Sequence, residues 1–342
     1  MLGAIMGLPE QCEEAKQLAQ EADLSALSGR KFSAIVLAGL GGSAIGGDFL
    51  RVTYEQYLPC PMSVVRDYML PAYVGPSTLV IASSNSGNTE ETLSAFDQAR
   101  KAGATILAFT TGGELAKRAR SAGVPLVTFP GGLQPRAAVG YAFIPLIVAA
   151  VRLGLLSGSL SADIDEAVEV LRAVRNDCND GVPPADNQAK RLARSWLNKI
   201  PVIYGSAGER GVVAYRWKTQ INENAKAYAI ANQFPELNHN ETVGWSGSRG
   251  QRQVEKALAV VILRDDRESG RILTRVELTK QIIAERAASI DEVWSRGNSA
   301  LARMLSLVYL GDFASCYLAF EYGEDPTPVK VIDWLKGELA KS

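Results

Sequence analysis

The sequence has little histidine and little cysteine. Its 342 residues include one histidine, His239, and four cysteines that lie far apart and form no CxxC pair. Zinc sites need several histidine or cysteine ligands close together, and disulfide frameworks need paired cysteines. The sequence therefore predicts no metal site of this kind. It predicts four free thiols, as in the reducing cytosol.

Long hydrophobic runs and an excess of one charge are also absent. The most hydrophobic stretch, residues 139–151, is interrupted by Pro145 and is shorter than the about 20 residues that span a bilayer. Residues 1–8 lack the basic flank and the length of a signal peptide. A net charge of −1 creates no field that would draw nucleic acid or an anionic membrane. These absences predict a cytoplasmic protein that has neither nucleic acid nor membrane as a partner.

What the chain does contain is an alternation of apolar strands and amphipathic helices. Runs such as residues 33–39 and 78–84 are rich in β-branched and aliphatic residues, and helical patterns follow them. This alternation is typical of a doubly wound α/β fold with a parallel sheet. It restarts at residue 201, so we expect two such domains in tandem. The predicted parts are a first domain at residues 1–153, a helical connection at 154–200, and a second domain at 201–342.

A strand that ends in hydroxyl residues is the clearest sign of a ligand site. The stretch SNSGNTEET at 84–92 ends an apolar strand and opens a helix with two glutamates in its first turn. Backbone N–H groups at the helix start, and the hydroxyls of Ser84, Ser86 and Thr89, can donate to an anion there. No lysine follows as in a Walker loop, so the pattern favours a phosphate monoester over a nucleoside triphosphate.

A glycine-rich stretch, GGSAIGGD at 41–48, follows the strand that ends at Gly39. It is a weak match to a dinucleotide fingerprint, because the acidic residue expected about 20 residues later at the end of the second strand is missing. We instead expect a loop in which glycines such as Gly42 let the backbone approach a sugar or a phosphate. Ser43 would contribute its N–H or its hydroxyl to the same ligand.

Three further polar residues are candidates for chemistry. Arg136 stands at a predicted strand-to-helix junction, either as a surface charge or as a cation over a developing oxyanion. Glu223 lies between two asparagines in a helical pattern, either on a solvated face or as a proton-transferring base. His239 follows Pro235 in a predicted loop, where it is either incidental or an acid and base for a sugar hydroxyl. The residues alone leave these alternatives open.

Six stretches follow one another along nearly the whole chain: GGSAIGGD at 41–48, SNSGNTEET at 84–92, QPRAAVGY at 134–141, NENAK at 222–226, ELNHNE at 236–241, and DPTPV with WLK near the end. Together they resemble the bifunctional phosphoglucose/phosphomannose isomerase family, whose members consist of two sugar-isomerase (SIS) domains. The chain departs from the family pattern at Asn85, where many relatives carry tyrosine. We expect this change to affect loop packing more than phosphate contacts.

The resemblance implies roles for individual residues. It implies that Arg136 steadies the enediolate and that Glu223 moves the proton between C1 and C2 of the sugar. His239 would assist ring opening from the neighbouring protomer of a homodimer. A lysine on the last helix would join that step, with Lys336 as the better fit and Lys330 as the alternative. The implied binding residues for the substrate and its phosphate are Gly42, Ser43, Ser84, Ser86 and Thr89.

The resemblance also implies the reaction. The enzyme would interconvert glucose 6-phosphate and mannose 6-phosphate with fructose 6-phosphate, in glycolysis and gluconeogenesis, with neither metal nor cofactor. Elementary chemistry agrees, because a planar enediol loses the configuration at C2 and so connects both aldoses to one ketose. One alternative is a non-catalytic SIS-domain phosphosugar sensor, which would need neither Glu223 nor His239. Another is an SIS isomerase for a different sugar phosphate.

Overall fold

The computed structural model describes residues 1–248, 252–339 and 341 of the chain. It divides into two compact units. One consists of Met6–Arg172 and Gly297–Arg303, and the other of Met1–Ile5, Ala173–Arg296 and Met304–Ser342. We call them the five-stranded unit and the four-stranded unit, after their sheets. A compact unit need not coincide with a sequence domain, so the boundaries predicted at residues 153 and 200 stay predictions.

The five-stranded unit is built on a fully parallel sheet. Its strands are β1 (Ala34–Ala38), β2 (Met62–Val65), β3 (Thr78–Ser84), β4 (Thr105–Thr110) and β5 (Leu126–Thr128). Their order in the sheet is β2-β1-β3-β4-β5. Every residue of β3 and β4 is buried, which explains why these strands are continuous runs of apolar and small residues rather than alternating ones.

Helices pack on both faces of this sheet. Helix α1 (Leu2–Met6) falls largely in the four-stranded unit, and the helices that follow it are α2 (Leu8–Glu21), α3 (Gly41–Tyr54), α4 (Glu90–Lys101), α5 (Gly113–Ser121) and α6 (Val139–Arg152). Val80 of β3 belongs to a core cluster with Phe96 of α4, whereas Leu79 lines a small cavity with Leu146 of α6. Because neighbouring residues of a strand point to opposite faces, both faces of the sheet are covered.

The four-stranded unit repeats this plan. Its strands are β6 (Ile200–Ser206), β7 (Ile230–Phe234), β8 (Leu258–Arg264) and β9 (Ser289–Trp294), all parallel and in the order β7-β6-β8-β9. The remaining helices are α7 (Leu160–Cys178), α8 (Gln188–Trp196), α9 (Glu209–Gln220), α10 (Glu241–Gly244), α11 (Arg252–Glu255), α12 (Gly270–Ile283), α13 (Ala300–Glu321) and α14 (Lys330–Leu339). The predicted tandem of doubly wound parallel α/β domains is confirmed.

The sequence also predicts a terminal helix near residues 327–340, which corresponds to α14. Residue 340 lies outside the described residues. Within the part of the chain that the structure covers, no helix is both long enough and apolar enough to cross a membrane.

The glycine-rich stretch differs from its prediction as a loop, because α3 already begins at Gly41. A Cβ on Gly46 would lie 2.2 Å from the carbonyl oxygen of Ala142 in α6, and one on Gly47 would lie 2.8 Å from the Leu37 side chain in β1. Atoms cannot approach so closely, so these two glycines allow α3 to pack against α6 and the sheet. Their role is helix packing rather than contact with a ligand.

Candidate active site

The loop after β3 is folded tightly by its own hydroxyl groups. The hydroxyl oxygen of Ser84 lies 2.9 Å from that of Thr89 and accepts a hydrogen bond from the N–H of Gly87 at 3.1 Å. The hydroxyl of Ser86 accepts one from the N–H of Asn88 at 3.2 Å. Ser84 is buried and Ser86 is exposed. Thr89 immediately precedes α4, so its hydroxyl and that of Ser84 lie at the N-terminus of that helix.

The next connection of the sheet supports this loop from the side. Gly87 has a left-handed backbone, with φ of +69°, and a Cβ on it would lie 1.9 Å from the carbonyl oxygen of Gly112. The carbonyl of Gly87 accepts a hydrogen bond from the N–H of Leu115, and the side chain of Asn88 accepts one from the N–H of Glu114. Only glycine fits at residue 87, because any side chain would meet backbone there.

Ser43 joins the same loop from the first turn of α3. Its hydroxyl accepts a hydrogen bond from the N–H of Asn85 at 3.1 Å. The carbonyl of Asn85 accepts three more, from the N–H and the hydroxyl of Thr111 at 3.1 and 2.8 Å and from the hydroxyl of Thr110 at 3.5 Å. These contacts are made by the backbone of Asn85, so they do not depend on which side chain stands there.

We call residues 84–89 the anion loop, because this loop and the start of α4 together have the donors to hold an anion. The first N–H groups of an α-helix have no carbonyl partner within the helix, and its dipole favours negative charge at this end. In α4 these groups adjoin the hydroxyls of Ser84 and Thr89, and Ser86 lies in the loop that leads to them. A phosphate monoester can accept hydrogen bonds from both kinds of donor.

Arg136 lies in the same unit, within the short 3₁₀ turn Pro135–Ala137. It is 4 % exposed, so it is not the surface charge that the sequence left open. A Cβ on Gly42 would lie 2.6 Å from the carbonyl oxygen of Pro135, so the glycine lets the Arg136 segment approach the start of α3. Gln11 supports the turn by donating to the carbonyl of Ala137 at 3.0 Å.

In the four-stranded unit, Glu223 stands on an unusual turn. Helix α9 ends at Gln220 and is continued by one turn of π-helix at Ile221–Ala225. Such turns are rare and occur frequently at functional sites. The ammonium group of Lys226 donates to the carbonyls of Glu223, Asn224 and Asp325 at 3.0, 3.1 and 2.7 Å. The lysine therefore ties the end of the turn to the segment that precedes α14.

A cavity of about 750 Å³ opens beside this turn. Glu223 lines it together with Asn222, Lys226 and residues at the start of α14. Lys330 is among the lining residues and Lys336 is not. The structure thus brings the predicted base and one of the two candidate lysines to the same cavity. The full lining is Lys218, Asn222, Glu223, Lys226–Ala229, Glu324, Asp325 and Pro328–Ile332.

His239 ends the short 3₁₀ helix Glu236–His239 and is exposed, outside the lining of this cavity. A polar cluster holds the chain beside it. The carboxylate of Glu241 accepts hydrogen bonds from the hydroxyl of Tyr204 and the amide of Asn232. The indole of Trp245 donates to the same hydroxyl at 3.2 Å. Burial and the nearby Glu241 both raise the pKa of Tyr204, so the hydroxyl stays a donor.

A second polar cluster, not predicted from the sequence, lies at the ends of β6 and β8. The carboxylate of Glu268 accepts a hydrogen bond from the hydroxyl of Ser206 at 3.2 Å and pairs with Arg264 and Arg210 at 3.1 and 3.5 Å. Arg210 also pairs with Asp265 at 3.4 Å. Strand β8 corresponds in sheet order to β3, so this Glu268 cluster stands where the other unit has its anion loop.

The folds and the anion loop define a class of protein with two SIS domains. A sequence model of the SIS domain matches residues 30–123. The model of the bacterial phospho-glucose isomerase C-terminal SIS domain matches residues 185–339. The solved C-terminal domain of glucosamine-fructose-6-phosphate aminotransferase from Francisella tularensis superposes with a TM-score of 0.72 at 16% identity, over 96% of this chain and 98% of that one. At such low identity the likeness concerns the fold alone.

Sequence relatives narrow the class to one family. A bifunctional phosphoglucose/phosphomannose isomerase from Caldicellulosiruptor bescii is 46% identical over 341 residues, which cover 100% of this chain and 99% of that protein. A protein of the same name from Thermoplasma acidophilum is 40% identical over 309 residues, 90% of each chain. The chain belongs to the bifunctional phosphoglucose/phosphomannose isomerase family. The resemblance stated from six motifs is thereby confirmed.

Proposed function

We propose that this isomerase interconverts glucose 6-phosphate and mannose 6-phosphate with fructose 6-phosphate, in the cytoplasm and within glycolysis and gluconeogenesis. The observation that carries the proposal is a carboxylate, Glu223, that lines a cavity in a chain 46% identical throughout its length to a protein named for both activities. The anion loop around Ser84 supports it, because all three substrates carry a phosphate.

The reaction we propose is a proton transfer through a cis-enediol that uses neither metal nor cofactor. The phosphate binds at the N-terminus of α4, with Ser43 and Gly42 contributing beside it. Glu223 removes the proton from C2 of the open aldose as the carbonyl oxygen at C1 becomes an enediolate, which Arg136 stabilises. Glu223 returns the proton to C1, and a hydroxyl proton passes from O2 to O1. The planar intermediate accepts a proton at C2 from either side in reverse, which yields glucose or mannose.

A metal-free assay with purified protein tests this function. Fructose 6-phosphate is supplied with a chelator, and glucose 6-phosphate and mannose 6-phosphate are measured together. We expect both aldoses to form. If neither forms, the proposed function is wrong.

The role of Glu223 is tested by Glu223→Gln, with Glu324→Gln as a matched control, since both glutamates line the same cavity. Loss of the base should abolish exchange of solvent deuterium into C1 of fructose 6-phosphate, whereas the control should keep it. Binding of the phosphosugar should persist in both variants. Exchange at the wild-type rate in Glu223→Gln would place the base elsewhere.

For ring opening we propose a lysine and the partner's His239, in a homodimer. Lys336 is the assignment that the family motif supports, and Lys330 is the alternative that the cavity supports. Comparing Lys336→Ala with Lys330→Ala decides between them, because only the lysine in use should lower kcat for the cyclic sugar. Mixed dimers of Glu223→Gln and His239→Ala should regain activity if the histidine acts across the interface. No recovery in demonstrated hybrids would contradict the shared arrangement.

A further inference from the structure

A buried row of polar side chains joins the turn of Glu223 to helix α13. Arg216 and Gln220 of α9 both contact the carboxylate of Asp312, at 2.7 Å each. One turn further along, the amide of Asn224 donates to the hydroxyl of Ser315 at 2.9 Å. The spacing of four residues places these three side chains on one face, towards α13.

The five polar side chains of this row are buried, so they do not contribute to the polar surface of the protein. All five are at most 3 % exposed. Burial raises the pKa of Asp312 by more than the neighbouring Arg216 lowers it, so the pKa of this carboxyl lies above its ordinary value. Polar groups in such a place destabilise the fold unless each finds its partner, and apolar side chains of the same volume are often no worse for stability. Stability alone therefore does not explain why these five buried side chains are polar.

The hydroxyl of Ser315 has two bonds that fix it. It accepts from Asn224 and donates to the carbonyl of Asp312 at 2.9 Å. This places Asn224 against α13 at the point where α9 widens into its π-turn. Since successive helical side chains point in different directions, holding Asn224 inward directs Glu223 to the cavity that it lines.

We propose that Ser315, acting through Asn224, is a positioning residue for the base Glu223. The inference rests on the proposed function, because it presupposes that Glu223 transfers the proton. It explains why an asparagine, an unfavourable residue within a helix, follows the glutamate. It also assigns a role to Ser315 in α13, a helix that the family motifs do not cover.

Two buried serines of α13 give a matched test. Ser315 accepts a hydrogen bond from the Asn224 side chain, and Ser306 accepts one from the N–H of Arg296 at 2.8 Å. A base displaced by a fraction of an ångström to 1 Å should slow proton transfer about ten- to hundredfold. We therefore expect Ser315→Ala to lose that much kcat with little change in KM, and Ser306→Ala to keep its kcat.

The kinetic isotope effect separates positioning from general damage. With glucose 6-phosphate deuterated at C2, Ser315→Ala should show a larger isotope effect than the wild type, because proton transfer becomes more rate-limiting. Ser306→Ala should not. If Ser315→Ala fails to fold, Asn224→Asp takes its place, since it keeps the size of the side chain and removes the donor.

The outcomes are distinct from those that test the function. An inactive wild type, or an active Glu223→Gln, refutes the proposed chemistry and the inference with it. With those two results as expected, equal kcat and equal isotope effects in Ser315→Ala and Ser306→Ala would refute the inference alone.

Discussion

Substituting Gly87 by alanine should weaken phosphate binding more than it weakens the fold. Gly87 is under two constraints: its backbone is left-handed, and the carbonyl of Gly112 occupies the space that a Cβ would need. The backbone term costs an L-residue about 1–2 kcal/mol. The added Cβ would also lie 1.9 Å from the carbonyl oxygen of Gly112, whereas real contacts of this kind stay above 3.0 Å. The loop must therefore move by about 1 Å.

The chain offers a control for the backbone term alone. Gly123 has a similar φ of +64°, but nothing lies within 4 Å of a Cβ built on it. Gly123→Ala should thus lower the free energy of unfolding by about 1–2 kcal/mol, as strain alone requires, and leave kinetics unchanged. The difference in KM between Gly87→Ala and Gly123→Ala therefore measures the effect of displacing the loop.

The expected change in binding follows from the hydrogen bonds of the loop. A movement of about 1 Å breaks the hydrogen bond between the hydroxyl groups of Ser84 and Thr89, whose oxygens lie 2.9 Å apart. These two hydroxyls would then no longer be placed to donate to the phosphate. Each hydrogen bond to a charged group contributes about 1.5–3 kcal/mol, and a tenfold change in affinity is 1.4 kcal/mol. Losing one such bond should raise KM for fructose 6-phosphate about ten- to hundredfold.

Initial rates over a range of fructose 6-phosphate concentrations, with urea unfolding of the same samples, measure both quantities. We expect kcat of Gly87→Ala to fall less than KM rises, because the proposed role of the loop is to anchor the phosphate and not to take part in the chemistry. Kinetic constants of Gly87→Ala equal to those of Gly123→Ala would show that the loop does not bind the phosphate.

Two further predictions concern charged groups away from the reaction. The carboxylate of Glu166 accepts hydrogen bonds from the N–H groups of Asn298 and Ser299; burial acts to raise its pKa, but these bonds outweigh it and lower the pKa from the ordinary 4.5. The contribution of the ionised Glu166 to stability is therefore complete above pH 4.5 and is lost as the pH falls through the lowered pKa. The difference in unfolding free energy between the wild type and Glu166→Gln should shrink on acidification from pH 7 to pH 3. A constant difference would contradict this. Glu268→Gln should destabilise the protein by about 1.5–3 kcal/mol, since it removes the buried carboxylate from Arg264, which keeps its ion pair with Glu292. Calorimetry should still find one fructose 6-phosphate per chain, and unchanged stability would show that the pair contributes nothing.

Most of the fold could be predicted because its strands are continuous apolar runs. Strand β7 cannot be predicted in this way, because it is an edge strand with a different composition. Ile230 is 41% exposed and is followed by Asn232 and Gln233, so only Phe234 gives the signal of a buried strand. The neighbour that makes this segment a strand is β6, and no local pattern records that pairing.

The site was predictable where it is local and not where it is assembled. The turn at 84–89 has its hydroxyls, its glycine and its helix within a few residues, so the sequence displays it. The π-turn of Glu223 depends on Asp312 and Ser315, about 90 residues later in the chain. The asparagines on either side are an anomaly in the sequence, but the partner of Asn224 cannot be read from it. The Glu268 cluster likewise depends on Ser206 and Arg210, which lie about 60 residues earlier in the chain.

The Glu268 cluster has a consequence for how the protein responds to the supply of its substrates. A ligand that binds only the folded state stabilises it more as the ligand concentration rises, so a phosphate at the proposed loop site would add stability only when sugar phosphate is present. At the corresponding end of β8, a carboxylate of the chain itself lies between Arg264 and Arg210. This internal anion is present at every metabolite concentration. The arginines of the Glu268 cluster therefore need no bound ligand to neutralise them, whereas the N-terminus of α4 would acquire an anion only when a phosphate binds there.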